Sequence, residues 1–189
     1  DGAAEEPDAR PIENRVLEND LVRYEFDERG RLLRILDKEL GEEMMRPGML
    51  GNRLILHCDR SIFETDAWDV EITYESQPAE EAELDGDLLG SAGAMRKTLR
   101  MQWHLPDAPV RQSIHLYPHS KRLDFVTEVD WRPRHRMLRA EFEVDVHSDH
   151  ASYEIQFGLI ERPTHLNTTW DFAQYEVCGH RFADLSESD

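Results

Sequence analysis

The run ERPTHLNTTWDFAQYEVCGHRFADLSESD, from Glu161 to Asp189, holds many of the side chains in this chain that could do chemistry. Glu161 and Asp171 are candidates for the carboxylate pair that glycosidases use, one as acid/base and one as nucleophile or base. Cys178 and His180 stand two apart and share a face if this segment is a strand. That spacing is compatible with a metal or with a thiolate nucleophile, and specifies neither. A second group, His147, Asp149 and His150, mixes imidazole and carboxylate as metal sites do, yet a polar turn accounts for it equally well. A third stretch, FETDAWDVEITYE from Phe63 to Glu75, brackets Trp68 with Asp66 and Asp69. An indole face can cover the C–H side of a sugar while carboxylates accept its hydroxyls; a turn holding a packed Trp is the alternative. Spacing alone makes the terminal run a site-lining loop, because loops this rich in polar and aromatic groups are usual places for function.

Such groups need a scaffold, and the chain has the means to build one. It has 189 residues, 22 basic and 40 acidic, for a net charge of −18. That field repels phosphate backbones and anionic lipid, so neither nucleic acid nor a membrane surface is an expected partner. No apolar run approaches membrane-spanning length, and no basic segment leads into an apolar one as in a secretory signal. The expected compartment is the cytoplasm. The opening DGAAEEPDARP is acidic, small and proline-punctuated, so residues 1–14 are expected to be a linker and 15–189 a domain cut from a longer protein. Cys58 and Cys178 are too few for a disulfide framework and are expected to be free thiols. The sequon at Asn167 has no secretory context and is taken as chance.

The apolar residues fall in a two-residue period. In NDLVRYEFDERGRLLRILDK, Val22, Tyr24 and Phe26 share one face and Arg23 and Glu25 the other, with a turn at Asp27–Gly30. TLRMQWHL sets Leu99, Met101, Trp103 and Leu105 against Thr98, Arg100, Gln102 and His104. RLDFVTEVDW sets Leu123, Phe125, Thr127, Val129 and Trp131 against Asp124, Glu128 and Asp130. MLRAEFEVDV sets Leu138, Ala140, Phe142, Val144 and Val146 against Arg139, Glu141, Glu143 and Asp145. NRLILHCD is a further short strand. As helices these stretches would scatter apolar residues on every face; as strands each has one apolar and one charged side. The fold class is all-β, a large antiparallel sandwich.

Longer segments resemble a known family. YEIQFGLIERPTHLNTTWDFAQYEVCGHRFADLSE (Tyr153–Glu187) resembles the C-terminal β-domain of glycoside hydrolase family 38, the α-mannosidases. DAWDV (Asp66–Val70) is similar to that family's Trp-Asp-Ala-Trp-Asp segment, with Thr65 in place of the first Trp. LENDLVRYEFDERGRLLRILDKELGEE resembles the hairpin that opens the domain, and SKRLDFVTEVDW its central strand. The resemblance implies a supersandwich of the galactose-mutarotase type, with further strands after ADLSESD; a truncated sandwich would expose an edge through which copies self-associate. It also implies a retaining α-mannosidase acting on mannose-containing glycans by two-step displacement. The aspartate nucleophile and single zinc ion of that enzyme sit mainly in an N-terminal barrel, so no catalytic residue, metal ligand or cofactor is expected here. The residues expected to line the substrate are Asp66, Trp68, Asp69, Glu161, Arg162, Thr164, His165, Asn167, Trp170 and Asp171, converging on one face, with Arg162 gripping a carboxylate such as Asp171. Leu166, Gln174 and Arg181-Phe182 depart from the family pattern. A stand-alone carbohydrate-binding module and a mutarotase-like epimerase are the competing functions.

Overall fold

The computed structural model describes residues 10–11, 15–60 and 70–187. The chain enters through a four-stranded meander, β2 (Val16–Glu18), β3 (Val22–Phe26), β4 (Leu32–Asp37) and β5 (Glu42–Glu43). Its alternation is the expected one. Val22, Tyr24 and Phe26 are buried, while Arg23 and Glu25 pair on the other side at 2.8 Å. The Asp27 carboxylate accepts from the backbone N–H groups of Arg29 and Arg31. Gly30 closes the turn at φ +75°, and a Cβ there would lie 2.9 Å from Met101 Sδ. Both the left-handed backbone and the close approach call for glycine.

The largest sheet runs β1 (Arg10–Pro11), β9 (Leu89–Ala92), β10 (Lys97–His104), β11 (Val110–Leu116), β12 (Leu123–Val129), and β8 (Glu83–Leu84) also pairs with β10. A three-stranded sheet has the order β13 (Arg136–Glu141), β6 (Arg53–Cys58), β7 (Glu80–Glu81). Another has β15 (Gly158–Pro163), β14 (His150–Ile155), β16 (Ala183–Asp184). The pairings within these sheets are antiparallel. The core lies between the large sheet on one side and the meander with β6 on the other. Leu99, Met101, Trp103, Val110, Ile114 and Leu116 meet Leu17, Val22, Phe26, Leu32, Leu54 and Leu56 there. Burying each such side chain is worth ~1.5–3 kcal/mol. The chain is therefore an all-β antiparallel sandwich.

Polar groups tie the layers. Asn52, buried and at φ 55°, exchanges hydrogen bonds with the Gln112 side chain at 2.8 and 3.1 Å, and Gln112 also donates to Thr127 at 3.2 Å. Asn19 Nδ2 donates to the carbonyls of Tyr117 and Ser120 at 2.8 and 2.7 Å. Lys121 donates to Asp37 at 2.7 Å and holds that carboxyl below its usual range. Burial raises the pKa of the Tyr24 phenol, which donates to the Lys121 carbonyl.

Four expectations change. Thr98, read as solvent-facing, is buried with His115 as its hydrogen-bond partner at 2.9 Å. The strand at 123–131 stops at Val129, and its apolar side is only half covered. The strand at 137–146 stops at Glu141, where Glu143 instead clasps the Leu50 backbone; Phe142 is left 45% exposed, touching Phe125 edge-on. Finally, strand alternation does not end at Glu161, since β15 runs on to Pro163. Cys58 and Cys178 are both free thiols.

Candidate functional site

The hairpin β14–β15 carries the start of the terminal run. Successive residues of a strand face opposite ways, so Glu161 and Arg162 point to different sides of this sheet. Arg162 does not grip a carboxylate. Its Nη1 donates to the Cys178 carbonyl at 2.6 Å and its guanidinium lies 5.0 Å over the Tyr153 ring. The reason is local: register puts Tyr153 opposite Ile160, on the Arg162 side, and residues 178–184 fold back along β14 to offer a carbonyl. Thr164 is drawn the other way. Its N–H donates to the Asp149 carbonyl at 3.0 Å and its hydroxyl to that of Ser148.

The short helix α1 (Thr169–Phe172) begins in a capping box. Thr168 Oγ1 accepts from the Asp171 N–H at 3.2 Å, and Asp171 Oδ2 accepts from the Thr168 N–H at 2.9 Å. Two orphan donors of the helix start are satisfied reciprocally. His165 Nδ1 lies 3.4 Å from the same Asp171 oxygen. The Thr168 hydrogen bond, with lesser help from His165, holds the Asp171 carboxyl below its ordinary range. Asp171 thus serves the cap. With the loop so fixed, Trp170 stands 81% exposed beside exposed Asn167, and Leu166 and Phe172 are exposed as well. An exposed indole ring of this kind can cover one face of a sugar ring.

Asp66, Trp68 and Asp69 lie outside the described residues, but the chain reappears at Val70, one residue later. From there to Ser76 it is bound to the terminal run. The Tyr175 hydroxyl donates to the Val70 carbonyl, and Tyr74, in the 3₁₀ turn Tyr74–Ser76, donates from its buried hydroxyl to Glu176 Oε1 at 2.6 Å. Arg139 of β13 completes this node, 3.1 Å from Glu176 and 5.2 Å over the Tyr74 ring. Beneath it, His57 meets Tyr74 edge-on at 5.1 Å, and both its ring nitrogens are buried without a hydrogen bond. None of Tyr74, Arg139, Tyr175 or Glu176 stood out in the sequence reading. No local signal marked them: Tyr-Glu occurs at Tyr24-Glu25 and Tyr153-Glu154 as well as at Tyr74-Glu75 and Tyr175-Glu176.

His147 lies 3.5 Å from Glu187 and 3.8 Å from Asp145, with Arg46 against its ring. Among the described residues no group of three His, Cys, Asp or Glu side chains is placed to hold a metal ion.

A model of the "Glycosyl hydrolases family 38 C-terminal domain" matches residues 17–189. Alpha-mannosidase G of Dictyostelium discoideum is 38% identical over 180 residues, covering 92% of this chain and 16% of that protein. Human alpha-mannosidase 2C1 is 36% identical over 177 residues, covering 91% of this chain and 17% of that protein. An alpha-mannosidase of Saccharomyces cerevisiae is 52% identical over 67 residues, 35% of this chain and 6% of that protein. The chain therefore spans 16–17% of the length of the first two relatives.

Proposed function

The chain belongs to the glycosyl hydrolase family 38 C-terminal domains, and on that premise we propose that it is the substrate-lining and structural β-domain of a retaining, zinc-dependent α-mannosidase. Its partners are then a mannose-containing glycan and the N-terminal barrel of the parent enzyme. The nucleophile and zinc belong to that barrel, and no step of the reaction runs through this domain. The work of this domain is positional. It presents Trp170, Asn167 and His165 on a capped loop, fixes the segment that follows Asp66–Asp69, and shapes a wall that orients the sugar.

One observation carries this reading. Two phenols, Tyr74 and Tyr175, bind the segment from Val70 to Ser76 to the terminal run, so two stretches 102 and 105 residues apart at these contacts are held together. A pocket needs polar groups gathered from distant parts of a chain. In the full-length parent, Tyr175→Phe is expected to lower kcat/KM about tenfold, about 1.4 kcal/mol of transition-state stabilisation, with the melting temperature nearly unchanged. The isolated chain is expected not to turn over 4-nitrophenyl α-mannoside, with or without added zinc. Turnover by the isolated chain would overturn the proposal.

A further inference from the structure

The opposite side of the sandwich carries a second set of polar groups. Alternation buries Leu99, Met101 and Trp103 of β10, so Arg100 and Gln102 project from the outer face of the large sheet. Register extends that face into two rows. Gln102, Arg111 and Glu128 lie opposite one another across β10, β11 and β12, and Leu89, Arg100, Ser113 and Val126 form the row beside them. The turn Asp85–Asp87 stands at the end of these rows, anchored by the Asp85 N–H donating to the Gln102 carbonyl at 2.8 Å. Together they bound a groove of about 490 Å³, within the range of about 300–1,000 Å³ typical of small-molecule sites.

Several groups of the groove have no internal partner. Among the described residues, Asp87, Gln102, Arg111, Ser113 and Glu128 use their side chains in no hydrogen bond or ion pair. Arg111 and Glu128 are directly opposed on neighbouring strands, where opposite charges usually pair, yet they remain apart. Other surface arginines find acids: Arg23 pairs with Glu25, Arg34 with Glu43, Arg132 with Asp130. The chemistry on offer is mixed. Arginine and amide donors alternate with carboxylate acceptors, and Leu89 and Val126 supply apolar contact between them. Three acids and two arginines leave the lining with a formal charge of −1, on a chain of −18, which disfavours an anion. A neutral polyhydroxylated ring fits: its hydroxyls both donate and accept, and its C–H edges meet the two apolar side chains.

We propose that this outer-face groove binds a saccharide. The choice of mannose as the sugar rests on the function proposed above; the groove itself does not. The test titrates the ¹⁵N-labelled 189-residue chain with α-1,6-mannotriose, with maltotriose and with inorganic phosphate, following amide shifts. Saturable shifts confined to residues 85–89, 100–102, 111–113 and 126–128 are expected with mannotriose. Arg111→Ala and Glu128→Gln should each weaken binding about tenfold, as loss of one charge-assisted hydrogen bond would, while Arg132→Ala, a surface arginine of the same charge, should not. Binding of maltotriose but not mannotriose would support the groove as a saccharide site and count against mannose as the parent's sugar. No saturable shift with either saccharide, shifts unaffected by both groove variants, or binding of phosphate alone would overturn the proposal.

Discussion

Trp103 of β10 and Trp170 of α1 are the same residue type at opposite extremes, 3% and 81% exposed. Around Trp103, Leu99, Met101 and Val110 share its buried face and the meander covers it, and its indole N–H is left without a hydrogen bond. Around Trp170 the effort of the structure goes into the backbone instead, through the Thr168–Asp171 capping box. The first region is stabilised by its apolar side chains. The second is stabilised by its polar ones, and its apolar groups are left free for contact. Aromatic content alone does not distinguish a core from an exposed surface; what the backbone hydrogen bonds to does.

The largest test of that contrast is Trp103→Ala, which should cost ~3–5 kcal/mol in chemical denaturation. A loss under about 1 kcal/mol would mean the core tolerates the cavity and the contrast is weak. Next is Asn52→Ala. It leaves the Gln112 side-chain oxygen without its donor in the interior and should cost ~1–3 kcal/mol, read from the denaturation midpoint. A pH series should follow. Burial holds the pKa of the His115 imidazole down. As pH falls below about 6.5 the unfolded chain therefore takes up a proton first, and stability declines until the folded imidazole titrates too. Asp37, held low by Lys121, adds a further loss below about pH 4, in the acid range of an ordinary carboxylate. His115→Gln should flatten the upper slope and leave the acid limb. The smallest effect is Trp170→Ala, expected within about 0.5 kcal/mol of the parent chain. A larger loss would make Trp170 a structural residue and remove the distinction.

Much of the fold could be read from the sequence, because the period of two is a local property. The β3–β4 hairpin, its Gly30 turn and the buried side of β10 all follow from residues within a few positions of one another. What covers a face is not local. The pattern at Leu123–Trp131 is as regular as that of β10, yet Val129 and Trp131 remain partly exposed because no described layer lies over them. Thr98 went astray for a similar reason: its partner His115 is on the next strand. In the site, the capping box of Thr168 and Asp171 was present in the sequence as a Thr-x-x-Asp spacing, but Asp171 was assigned to substrate. Arg162 was matched to a carboxylate by charge, whereas its partners, a carbonyl and a phenol ring, carry no charge to search for. The Tyr74–Glu176 contact joins residues 102 apart, which only the assembled sheets bring together.

Those two phenol contacts also set an order of events. Tyr74 reaches Glu176 and Tyr175 reaches Val70 across 102 and 105 residues of chain. Closing loops of that length carries an entropy cost that local hairpins avoid, so the contacts must wait until the intervening strands have paired. The terminal loop should dock last during folding and open first in the native state, since largely exposed side chains and a few polar contacts hold it. Native-state hydrogen exchange should find the amides of residues 164–182 released by local opening well before those of β10 and β11, and a protease at low concentration should cut there first. In a cell, newly made chain would complete its sandwich before docking its terminal loop.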